Sequence, residues 1–218
     1  MWEEHFRRES SRYEDGEARL GDLVDADDRQ RQLTRMGNAA GGAGLALLMQ
    51  AHRDEAGVWL GRAAQRYRES FADAPAGSWG RPIGAMKASV LAGDWEGAEQ
   101  DARWALEAGA AEAESPIGCY AATLAQLVLG DDHEARVLAD SIRGRDDFPR
   151  DVADALAAIA AGDLVLYVES VESVLASFEA RDEYLEDIPV ADTVLVLQTL
   201  AARRGLVTEL ASALLPPG

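Results

Sequence analysis

Three histidines, one cysteine and one lysine are the side chains of this 218-residue sequence best suited to proton transfer, nucleophilic attack or metal binding. Their spacing builds no catalytic set. His5, His52 and His133 are far apart, and His133-Glu134 has no second histidine four residues on, so the zinc-protease pattern is missing. His133 reads as an exposed residue in the first turn of a helix. Cys119, beside Tyr120, sits at helical core spacing with no histidine near it in sequence, and reads as a buried structural thiol. Lys87 lies inside a helical segment and follows no phosphate-binding loop. Gly41-Gly42-Ala43-Gly44 follows no strand, so it makes no dinucleotide fingerprint. Those glycines are expected either to admit a closely packed neighbour or to break the helix. No Gly-x-Ser-x-Gly elbow occurs. Asp27-Asp28, Asp131-Asp132 and Asp146-Asp147 fall at helix starts, where capping explains them. Glu183 and Asp187 could chelate a cation, but a solvated acidic loop accounts for them. The expectation is a protein that is not an enzyme, with no catalytic residue, metal or cofactor.

Large aromatic side chains carry a different kind of chemistry. Trp79, Trp95 and Trp104, with Arg81 and Tyr120, fall in the central segments. Trp, Tyr and Arg dominate the energetics of protein interfaces, so these five are the candidate partner-binding residues. The competing reading is packing between adjacent helix pairs.

The elements that must position these residues are helices. Ala56, Trp59, Leu60, Ala63, Ala64, Tyr67 and Phe71 recur at the period of one helical stripe. Ile117, Tyr120, Ala121, Leu124, Leu127 and Val128 repeat it, as do Leu164, Tyr167, Val168, Val171, Leu175 and Phe178. No sustained strand alternation occurs, and no hairpin turn joins two strand-like runs. The spacing predicts helices over about 2–14, 27–52, 54–73, 79–92, 94–108, 116–129, 131–143, 149–161, 163–180 and 189–204. The last is apolar nearly all round and is expected to be the most buried, sealing the C-terminal end. The tail Leu214-Leu215-Pro216-Pro217-Gly218 then packs or frays.

Gly93-Asp94, Gly130-Asp131 and Gly162-Asp163 each close one stripe and open the next. Glycine accepts the left-handed conformation that ends a helix, and aspartate caps the helix that follows. Glu134 completes the pattern of a capping box after Asp131. Ser115-Pro116 is a further start signal. These corners recur at a period typical of helix-turn-helix repeats. The segments Leu91–Ala98 and Leu129–Ala135 resemble the second half of a tetratricopeptide repeat. They depart from it at Met86 and Thr123, where the repeat has a small residue. The expected fold is therefore all-α: a tetratricopeptide-like right-handed stack of antiparallel helix pairs, an α-solenoid. One domain spans 1–218, with an N-terminal helical segment (1–40), helix-pair repeats (41–180) and a C-terminal capping helix and tail (181–218).

Composition bounds the partners. Asp and Glu total 39 against 21 Lys and Arg, for a formal net charge of −18, and Lys87 is the sole lysine. Acid excess with little lysine is the composition of a salt-adapted protein, with a high-GC bacterial origin as the alternative. Such a surface repels nucleic-acid phosphates and anionic lipids. No run of eighteen apolar residues and no basic, apolar leader occurs, so no membrane span and no secretion are expected. With a single cysteine, a cytoplasmic location follows as the expectation.

The C-terminal half is similar to the immunity 49 family of bacterial polymorphic toxin systems. The resemblance rests on Ala155-Leu-Ala-Ala-Ile-Ala-Ala-Gly-Asp163, the long helix reaching Phe178, the segment Leu200-Ala-Ala-Arg-Arg-Gly-Leu206, and Leu215-Pro216 in the tail. The segment from Arg62 to Phe71 has a similar counterpart. Leu214 stands where that family has an aromatic residue. The resemblance implies an all-helical, non-enzymatic protein that binds and neutralises a cognate toxin, and it transfers no binding residue. The alternatives are a general tetratricopeptide-like scaffold or regulator from a halophile, and a small helical enzyme using acidic residues.

Overall fold

The computed structural model describes residues 1–217. Among them the regular structure is ten α-helices and one 3₁₀ turn, with no strand. The helices are α1 (Trp2–Leu20), α2 (Ala26–Leu48), α3 (Arg53–Phe71), α4 (Gly80–Ala92), α5 (Trp95–Glu107), α6 (Pro116–Leu129), α7 (Asp132–Arg143), α8 (Arg150–Ala161), α9 (Leu164–Glu179) and α10 (Asp192–Ala202). The 3₁₀ turn, Leu185–Asp187, lies between α9 and α10.

The three glycine–aspartate corners share one geometry. Gly93, Gly130 and Gly162 have φ of 73°, 82° and 66°. The amide of the following aspartate then reaches back five residues, to the carbonyls of Ser89, Gln126 and Ala158, at 3.0, 2.9 and 3.0 Å. This satisfies a carbonyl that the helix end would otherwise leave open. Each aspartate side chain accepts from the amide three residues on, in Gly97, Glu134 and Leu166. Because the Asp131 amide is already bonded to Gln126, this cap is the one-sided half of a capping box.

The glycines of α2 do not break it. Each glycine in a helix interior costs about 1 kcal/mol relative to alanine. Here close packing compensates. A Cβ on Gly44 would lie 2.7 Å from the Leu60 side chain, and one on Gly42 would lie 3.1 Å from Glu9 and 3.3 Å from Ile188. α1 likewise continues past Asp15 to Leu20, because Gly16 is buried against Gln32 and Met36 of α2.

Every helix from α1 to α9 packs against its neighbours in the chain, and α2–α4, α4–α6 and α6–α8 also touch. The even-numbered helices therefore share an inner side. Three apolar clusters result, the smallest of them Met49, Ile188 and Val190, with Trp2, Leu45 and Leu195 against it. A second, around Met36, Leu60 and Ala63, joins α1 to α4; the largest, around Leu124, Leu156 and Leu197, joins α4 to α10. Most of the expected stripes are buried, but Ile117 and Leu164, each at the start of its helix, are exposed.

α10 is shorter than the periodicity predicts, because Ile188 is extended and Pro189 precedes it outside the helix. It does more than seal one end. It packs on α4, α8 and α9, with Val194, Leu197 and Leu200 fully buried. Arg204 at its C-terminal end pairs with Asp132 and donates to the Leu127 carbonyl. The tail folds back: the Ala191 amide donates to the Leu214 carbonyl at 3.0 Å, and Leu206 and Leu215 are buried.

Candidate functional site

The segment from Arg181 to Ala191 leaves α9 and returns across the inner side to α1 and α2. Glu186 fastens it there. Its carboxylate pairs with Arg12 and accepts from the Asn38 amide at 3.1 Å, and its carbonyl accepts from Arg8. Glu186 and Asp187 have φ of 56° and 53°, left-handed conformations that disfavour side chains other than glycine. Arg12 and Arg8 are held in turn by Glu9, which is wholly buried.

Between this segment and the inner helices lies a cavity of about 620 Å³. That is within the range of about 300–1,000 Å³ usual for small-molecule pockets. Its walls mix aliphatic and aromatic side chains with a few charged ones. Lys87 of α4 is 16% exposed and bonds Asp192 of α10 (Nζ–Oδ2 2.5 Å) and Thr193 Oγ1 (3.1 Å). Burial draws the Lys87 ammonium down, but Asp192 and Tyr120 more than reverse this, so it titrates above the ordinary lysine range. Burial pushes the Tyr120 phenol up, with Lys87 opposing and Asp192 adding to the rise. Burial, followed by Asp192 and Glu186, likewise pushes Tyr67 up. Near neutral pH Lys87 is thus an ammonium and Tyr67 and Tyr120 are neutral phenols, none of these three a base.

Tyr67 sets the cavity floor. Its ring lies between Gly37 of α2 and Gly84 of α4, where added Cβ atoms would come within 2.9 and 2.7 Å of ring carbons. Its hydroxyl donates to Asn38 Oδ1 at 2.9 Å, and Asn38 donates onward to Glu186. The floor and the crossing segment are therefore one hydrogen-bonded chain.

Of the five candidate partner-binding residues, Trp79, Arg81 and Tyr120 line this cavity and Trp95 and Trp104 do not. Trp79 is 9% exposed and buried in the core beside Gly118. Tyr120 stacks at a tilt on Phe148, with centroids 5.4 Å apart. Arg81 donates to Ser70 Oγ at 3.1 Å and to the Gln30 amide oxygen. Trp95 lies 3.9 Å under the Arg203 guanidinium, and Trp104 meets Phe71 edge-on at 5.1 Å. The three tryptophans do not share one groove.

His133 is exposed, as its place in the first turn of α7 predicts. Cys119 is half-buried, with its thiol donating to the Ala113 carbonyl at 3.2 Å. Glu183 and Asp187 are exposed, and no group of three or more His, Cys, Asp or Glu side chains is placed to hold a metal among the described residues. No helix among them is long and apolar enough to cross a membrane. Sequence spacing does not reveal the residues that organise the cavity, namely Asn38, Tyr67, Lys87, Glu186 and Asp192. The one available signal is Lys87 itself, the single lysine, set among the apolar residues of α4.

No known family model, curated protein or solved structure matches the chain.

Proposed function

We propose that the chain is a non-enzymatic protein-binding module, a tetratricopeptide-like right-handed stack of helix pairs that neutralises a cognate toxin by occluding it in the cytoplasm. The likeness to the immunity 49 family and the contacts among the even-numbered helices support the architecture. One observation carries the binding reading: six of the 21 cationic side chains are tied down between elements, while acidic side chains outnumber the cationic ones nearly two to one. Arg12, Arg66, Arg68, Lys87, Arg143 and Arg204 are all tied to carboxylates of other elements. The surplus of Asp and Glu, giving the net charge of −18, is left to face outward. A field of that sign accelerates encounter with a basic protein surface and repels nucleic acid. The two carboxylates on the cavity wall, Asp192 and Glu186, are both engaged by cations, which leaves neither free as a general base and argues against an acid-dependent helical enzyme.

The test is to look for a toxin gene adjoining this one and to co-express the two in cells that the toxin kills; absence of any such gene counts against the reading. Restored growth and co-purification of the two proteins are expected, with association slowing steeply as salt rises. Undiminished killing, with the chain folded and present, overturns the reading. Capture from native extracts at high salt of an unrelated assembly, with no toxin, favours a general scaffold instead.

A further inference from the structure

The cavity is charged against the trend of the molecule. The chain as a whole carries −18, yet Arg81, Lys87 and Arg181 all line this one space. The carboxylates on its wall are already engaged. Asp192 is bonded to Lys87 and accepts from the Thr193 amide at 2.7 Å, and Glu186 is held by Arg12 and Asn38. The two arginines have no such partner. Arg81 donates only to the neutral oxygens of Ser70 and Gln30, and burial lowers its titration with no carboxylate to restore it. Arg181 lies 3.6 Å over the face of Phe178 and forms no ion pair among the described residues. Lys87 and Arg181 are close enough for Arg181 to depress the titration of Lys87. Lys87 is answered by Asp192, but Arg181, exposed beside the cavity, carries a charge that no carboxylate of the chain meets and that a bound anion would meet. The rest of the wall is oily, including Leu60, Leu91, Ile117, Ile188 and Val190.

We propose that this cavity is a binding site for a small amphipathic carboxylate, its anionic head held by Lys87 and Arg181, and its hydrocarbon body lying along the aliphatic wall, with Arg81 a further cation on the same lining. Such a ligand matches both halves of the lining: charge-assisted hydrogen bonds fix the head, and burial of the chain supplies affinity. The site is independent of the toxin reading, since it lies inside the chain rather than on its acidic exterior.

The test uses decanoate below its micelle concentration, titrated calorimetrically into the full-length protein, beside decyltrimethylammonium and decanol. One molecule of decanoate per chain is expected to bind. The cation, although favoured by the net charge of the protein, should bind at least roughly tenfold more weakly. Arg181→Gln breaks no ion pair, so it should leave the fold intact and weaken decanoate roughly tenfold while leaving decanol unchanged. Arg81→Gln should act in the same direction by a smaller factor. Equal or tighter binding of the cation, unaltered decanoate affinity in Arg181→Gln, or no decanoate binding at all overturns the proposal. Each of these readouts is blind to whether a toxin is neutralised.

Discussion

Lys87 of α4 and Asp192 at the start of α10 meet at 2.5 Å although more than a hundred residues separate them. Their side chains are 16% and 30% exposed, so the pair is shielded but not sealed. Removing one partner strands a charge in the cavity wall, whereas removing both does not. Lys87→Met and Asp192→Leu should each lower unfolding stability by about 2 kcal/mol. The double variant should lie within about 1 kcal/mol of the parent. Urea denaturation of the four chains measures the cycle.

The ring of Tyr67 occupies the gap that Gly37 and Gly84 leave between α2 and α4. Gly84→Ala should displace the ring, costing about 1–3 kcal/mol as overpacking, despite the better helix propensity of alanine. Because the Tyr67 hydroxyl holds Asn38, and Asn38 holds Glu186, the same change should loosen the segment 181–191. Amide hydrogen exchange should quicken there before it does in α6 or α8. Unchanged exchange, or a rise in stability, would contradict the linkage.

Much of the architecture is legible in the sequence, for identifiable reasons. The corners Gly93-Asp94, Gly130-Asp131 and Gly162-Asp163 are local devices, complete within six or seven residues, and local chemistry is what sequence spacing records. The three stripes likewise mark most of the buried side chains of α3, α6 and α9, failing at Ile117 and Leu164, each in the first turn of its helix and exposed. The cavity is not legible. Asn38, Lys87, Glu186 and Asp192 are drawn together by the return of the chain after α9, and nothing in the spacing around Pro189 tells which way that segment turns. Trp79, Trp95 and Trp104 had the composition of an interface, but Arg203 covers Trp95 and Phe71 meets Trp104. Both contacts span tens of residues or more.

Tyr167 is fully buried in α9, and its hydroxyl has no hydrogen-bond partner. Burial pushes its phenol up to about 12, against about 10 in an unfolded chain. A folded-state value above the unfolded one means that the native protein holds the proton more tightly. The stabilisation is complete below pH of about 10 and is lost as pH rises toward about 12. Tyr167→Phe should match the parent at neutral pH or exceed it by up to about 1 kcal/mol, since an unmet hydroxyl is removed. Between those two pH values its stability should fall less steeply than that of the parent. Thermal melts across the alkaline range decide this, and a Phe variant markedly less stable at neutral pH would show that the hydroxyl has a partner.

A net charge of −18 on 218 residues sets a self-repulsion that mobile ions screen. The melting temperature should climb with potassium chloride and level off once the screening length falls to about 3 Å, near 1 M. Helical circular dichroism should persist throughout. A melting temperature that falls with added salt would mean that the internal ion pairs outweigh the surface repulsion.

An array whose units touch only their immediate successors can fray from either extremity, one unit at a time. The clasp of Glu186 on Arg12 and Asn38 changes that by tying the last quarter of the polypeptide to the first. The molecule is thereby wired as a loop, and detaching either terminus withdraws support from the opposite one. Natural shortening or fusion at one end would be felt at the other, so the two extremities are constrained to change together.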